Sequence, residues 1–177
     1  MRLVGRLYYG GGAMTIRTTS DSPSELHQVE WAPLLCLGAQ EVFDLMVGAP
    51  LKRFSASGPT GFLEYTAIVG LAGPICGVFS IRCTSHAAVL IASGMLGATA
   101  EAASPQTRDA LGEVCNMVAG HFKSKLGPIG ENSMLSIPTV IRGTDYHMRS
   151  LLEGRFVESP MQFSGELVLL RLDYKLG

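Results

Sequence analysis

The chain has 177 residues, enough for one well-packed domain and short for two. Hydrophobic residues make up 47% and charged residues 16%, a globular composition that argues against a disordered chain. The formal net charge is −1 and no cluster of Lys and Arg stands out, so phosphate backbones and anionic membrane surfaces are poor partners.

The opening run to Ala13 lacks the apolar core and cleavage site of a signal peptide, and residues 14–28 are rich in Ser and Thr. Residues 1–28 are therefore read as a peripheral, mobile segment and 29–177 as the domain. No stretch reaches the roughly 20 apolar residues of a membrane span, and the chain reads as cytoplasmic.

From Val29 to Val47, apolar residues recur at three- and four-residue spacing, which predicts a helix stopped by Gly48 and Pro50. Phe62 to Leu71 and Ile75 to Cys83 read as two strands joined by a tight turn at Ala72-Gly73-Pro74. Thr84 or Ser85 can cap a helix from His86 to about Leu96, ended by Gly97. A connector over 101–106 leads to a helix near Arg108 to Leu126, which Gly127-Pro128 stops. Ser133 to Gly143 is a strand with Pro138 inside it, pointing to an edge or a bulge. Arg155 to Phe163 and Glu166 to Tyr174 form a closing hairpin around Ser164-Gly165. The expected fold is α+β: about five mostly antiparallel strands with helices packed on one face, in the order α-β-β-α-α-β-β-β.

The cysteines, Cys36, Cys76, Cys83 and Cys115, form no C-x-x-C pair and read as small buried hydrophobes, not as metal ligands. No Ser-His-Asp or Cys-His arrangement suggests itself, and no metal site is expected.

The helix near Arg108 carries the chemistry. At about 100° per residue, Leu111, Cys115, Val118, Phe122 and Leu126 gather on one stripe. Glu113, Asn116, Gly120 and Ser124 fall on the other side, an acid and a carboxamide followed by two small residues. Such a face is cleared for another molecule. Asn116 can donate and accept at once, and so can hold a water toward an electrophile. It is no strong base, which suits phosphoryl hydrolysis, where positioning and charge compensation dominate. The same spacing also occurs on ordinary solvated helices.

Asp109-x-x-x-Glu113-x-x-Asn116, inside L-G-E-V-C-N-M-V-A-G and followed some twenty residues on by Pro138, resembles the signature helix of the CheC/CheX/FliY chemotaxis phosphatases. The segments E-V-F-D-L-M-V-G, G-P-I-C-G-V-F-S-I and I-A-S-G-M-L-G resemble its CheX-like members, over roughly residues 30–175. The resemblance implies an aspartyl-phosphate phosphatase acting on a CheY-like response regulator. Glu113 would engage the regulator's lysine and Asn116 would orient the attacking water. The phospho-aspartate and Mg2+ would belong to the regulator, with no cofactor of this chain's own. Asp109 would support the helix N-terminus or touch the partner, and Gly120 and Ser124 would leave room for it. A homodimer with joined sheets is also implied.

CheC-like members carry two copies of the motif and CheX-like members one. Here the first helix offers Glu41-x-x-Asp44, with Leu37 in the acidic first position. Two acids would repel an anionic substrate, so one active face is expected. The alternative function is a non-catalytic receiver-binding interaction domain in two-component or flagellar signalling. A small-ligand sensor has no specific residue in its favour.

Overall fold

The computed structural model of the chain describes residues 6–9, 12–15, 25–54, 62–144, 146, 148, 150 and 152–177. β1 (Arg6–Tyr9) and β2 (Gly12–Thr15) pair with each other as a separate two-stranded sheet. The rest of the expected peripheral segment before α1 lies outside the described residues. α1 (Glu25–Val42) begins four residues earlier than periodicity suggested and runs into a π-helical turn, Phe43–Val47, ended by Gly48 in the left-handed region.

The remaining strands form one antiparallel sheet. β4 (Tyr65–Ala72) and β5 (Ile75–Cys83) make the first hairpin. β8 (Arg155–Phe163) and β9 (Glu166–Leu176) make the last, around Ser164 and Gly165 at positive φ. β9 pairs with β5, which joins the two hairpins. β3 (Leu51–Arg53) is added beyond β8, and β6 (Met134–Leu135) and β7 (Thr139–Arg142) both pair with β4. The order is β3-β8-β9-β5-β4-β6, with β7 also on β4.

The sheet therefore has seven strands, not five. β3 is three residues long, too short to show a period. The strand expected over Ser133 to Gly143 is split into β6 and β7 around Ile137-Pro138, because proline has no N–H to give to a ladder.

α2 (Ser85–Leu96) starts where Thr84 accepts the Ala87 N–H at 3.1 Å, and ends at Gly97 in the left-handed region. α3 (Pro105–Ser124) starts three residues earlier than expected. Ser104 caps it by accepting the Thr107 N–H at 3.1 Å, and Pro105 fills the first helical position. The short α4 (Pro128–Glu131) follows.

One side of the sheet meets the helices. Tyr65, Ala67, Val69 and Leu71 of β4, Ile75, Phe79 and Ile81 of β5, and Val168, Leu170 and Leu172 of β9 are buried with Leu35, Ile91, Leu111, Val118 and Phe122. Period-two strands and period-3.6 helices thus bury their apolar sides against each other. Trp31 stacks on Tyr174 with ring centroids 4.2 Å apart and meets Phe122 edge-on at 5.8 Å. On the far side of the sheet, Leu167 and Leu169 are also buried, against Leu63. Arg171 there pairs with Asp173 and Glu158 and lies over Phe156.

α1 and α3 cross at Gly38. A Cβ there would lie 3.2 Å from the Phe122 backbone nitrogen, so the contact needs a residue without one.

Candidate functional site on helix α3

α3 is held from both flanks. Leu111, Val114, Cys115, Val118 and Phe122 are buried in the core. Glu113 is exposed and Asn116 half-buried, one turn apart on the outer side. Among the described residues, neither side chain has a hydrogen bond or an ion pair. An acid and an amide thus lie one turn apart on the helix without polar partners among the described residues.

The other expected residues sort as follows. Asp109 is exposed on the same side. Because Ser104 and Pro105 lengthen the helix, the first turn contains no acid, and Asp109 sits one turn too far in to support the N-terminus. Gly120 is half-buried, and a Cβ on it would meet only Leu135 Cδ1, at 4.0 Å. The space above it is open, as a cleared face requires. Ser124 is exposed, but its Oγ donates back to the His121 carbonyl at 2.8 Å, so its hydrogen is already used.

The residues before and after Asn116 along the helix surface face a wall that the helix wheel alone does not reveal. A Cβ on Gly112 would lie 3.3 Å from Val140 Cγ2 and 3.5 Å from Pro138. The segment joining β6 to β7 therefore runs along α3 beside Asn116. The spacing from the motif to Pro138 was the one sequence signal of this wall.

The first helix presents no equivalent site. Glu41 accepts from Lys125 Nζ at 2.6 Å, and His121 Nδ1 lies 3.4 Å away. The Lys125 hydrogen bond, above all, holds the Glu41 carboxyl below its usual range. Glu41 is thus tied to the end of α3. Glu41 is therefore not the ordinary solvated acid expected of it, whereas Glu113 has no such partner among the described residues.

Cys36, Cys83 and Cys115 are buried, while Cys76 is exposed, against expectation. Burial pushes the Cys83 thiol up to about 12 and the Cys115 thiol higher still, the opposite of what a nucleophile needs. Among the described residues, no three His, Cys, Asp or Glu side chains gather as metal ligands. A cavity of about 350 Å³ on the far side of the sheet, between Arg82 and Phe156, shares no residue with α3. Among the described residues, no helix is long and apolar enough to cross a membrane.

The family match defines the class, a chemotaxis-type phosphatase domain. Residues 65–162 match the family described as Chemotaxis phosphatase CheX, and the chain belongs to that family. The CheY-P phosphatase CheX of Thermotoga maritima is 30% identical over 112 residues, covering 62% of this chain and 71% of that protein. Among solved structures, the chemotaxis protein CheX of Vibrio vulnificus superposes with a TM-score of 0.72 at 22% identity, over 88% of this chain and all of that one. The CheX of the CheX-CheY-BeF3-Mg2+ complex from Borrelia burgdorferi superposes with a TM-score of 0.66 at 19% identity, over 82% of this chain and 97% of that one. These structural likenesses bear out the α+β fold.

Proposed function

We propose that this chain hydrolyses the aspartyl-phosphate of a CheY-like receiver, with Glu113 and Asn116 as the two catalytic side chains. The observation that carries the reading is the unpaired Glu113–Asn116 pair on the outer side of α3, in a chain of the CheX family. The relative from Thermotoga maritima is a CheY-P phosphatase, and the Borrelia burgdorferi complex holds CheY with BeF3 and Mg2+.

The step is a displacement at phosphorus. A water attacks, the bond from phosphorus to the aspartyl oxygen breaks, and the carboxylate and inorganic phosphate leave. Asn116 holds the water in line through its amide. Glu113 takes up a lysine of the receiver, which fixes the approach of the two proteins. The acyl phosphate and Mg2+ are the receiver's. Asp109, Gly120 and Ser124 lie under the docked partner. The domain carrying this activity is residues 29–177, acting in the cytoplasm. A homodimer joined along β3, at the opposite edge of the sheet from β6 and β7, leaves α3 free for the receiver.

The test is the phosphoryl lifetime of a CheY-like receiver labelled on its aspartate, with and without this chain. Shortening of the lifetime in proportion to added chain is expected. Binding without any shortening would replace the phosphatase with the non-catalytic receiver-binding domain.

A further inference from the structure

Gly112, Asn116 and Gly120 follow one another at four-residue spacing on α3, and so lie in one row along the helix. The β6–β7 segment lies beside that row, with Leu135 nearest Gly120 and Pro138 and Val140 nearest Gly112. Ile137 is therefore bracketed at the level of Asn116. It is 86% exposed, more than any other large apolar side chain among the described residues. The backbone under Ile137 is pinned. The Ser136 N–H donates to the Gly70 carbonyl at 2.9 Å, Ser136 Oγ accepts the Gly70 N–H at 2.9 Å, and the same Oγ donates to the Ile137 carbonyl at 2.8 Å. Pro138 then fixes the next φ.

An isoleucine held rigidly in water contributes nothing to the isolated fold, whereas a partner that covers it gains its apolar area. We propose that Ile137 is the apolar contact by which this chain selects its receiver. The inference rests on the phosphatase reading: a receiver whose acyl phosphate reaches a water held by Asn116 lies over the neighbouring Ile137. The docking surface then has two unlike flanks, acidic at Asp109 and Glu113 and apolar at Ile137. The fitting receiver carries a cation on one side of its phosphorylated aspartate and an exposed apolar side chain on the other. Ile137 touches no reacting atom and acts as a specificity residue.

The test measures binding of a CheY-like receiver trapped with beryllofluoride and Mg2+, together with steady-state dephosphorylation. Ile137→Ser is expected to weaken binding and raise KM about tenfold, with kcat unchanged and Ile137→Leu close to the parent. Leu45→Ser, which removes a 74% exposed side chain from the π-helical turn, serves as control and is expected to change neither. Equal binding by parent and Ile137→Ser overturns this inference and leaves the phosphatase reading standing, as does an equal loss in Leu45→Ser. A changed oligomeric state with unchanged receiver binding also overturns it, by making a second copy the occupant. If the parent binds no trapped receiver and shortens no phosphoryl lifetime, the phosphatase reading falls, and this inference with it.

Discussion

Glu41 of α1 and Lys125, just past the end of α3, form an ion pair with 2.6 Å between carboxylate oxygen and Nζ. The pair occupies the acid of Glu41-x-x-Asp44 and ties two helices together. Glu41→Ala is expected to leave receiver dephosphorylation unchanged and to lower the thermal midpoint slightly, since exposed pairs contribute little. The carboxyl sits below its ordinary range, so its contribution is present at neutral pH and disappears as pH falls through the lowered value. Melting curves of parent and variant should therefore converge on acidification.

Asp44→Asn restores the carboxamide that the first helix lacks. Asp44 is exposed, so the fold should tolerate it. Because Glu41 remains held by Lys125, no second site is expected, and the dephosphorylation rate per chain should match the parent. A doubled rate would show that the ion pair does not silence that face.

Much of the fold was legible in the residues. Thr84 as a cap, Gly97 as a stop and Ser164-Gly165 as a turn act through local chemistry, and the structure has them in those roles. Cys115, Val118 and Phe122 face the core as the wheel expects. The misses are long-range or very short. β3 has three residues, and its pairing with β8 links positions over a hundred residues apart. The Ser104-Pro105 start of α3 was a readable cap that lay hidden in a presumed connector, and missing it misplaced Asp109. The acid–amide pair on α3 needed only helix geometry, whereas the wall of Pro138 and Val140 beside it depends on how β7 docks. Nor can periodicity show that Lys125 claims Glu41.

Two glycines should respond in opposite ways. Gly120→Ala fills open space and improves helix propensity by up to about 1 kcal/mol, so it should stabilise the fold, while Gly120→Phe should obstruct the receiver without unfolding the chain. Gly38→Ala drives a methyl toward the Phe122 backbone, which cannot move aside as a side chain end can. Overpacking costs about 1–3 kcal/mol, more than the propensity gain, and net destabilisation is expected. Denaturant titration of the three variants checks the stability statements, and binding of the trapped receiver by Gly120→Phe checks the obstruction.

Glu113→Gln keeps the shape of the site and removes the charge proposed to meet the receiver's lysine. Glu113 is exposed and makes no hydrogen bond or ion pair among the described residues, so the midpoint of unfolding should not move. Dephosphorylation should slow by about tenfold or more, as expected for loss of one charge-assisted hydrogen bond. Glu113→Lys should be slower still, through repulsion of the receiver's lysine.

The most direct test is the rate at which Asn116→Ala shortens the phosphoryl lifetime of a CheY-like receiver, measured beside the parent. With the water no longer held in line, the stimulated rate should fall at least about a hundredfold, while thermal unfolding and binding of the trapped receiver stay as in the parent. A variant that folds, binds and still accelerates dephosphorylation as the parent does would contradict the role of Asn116.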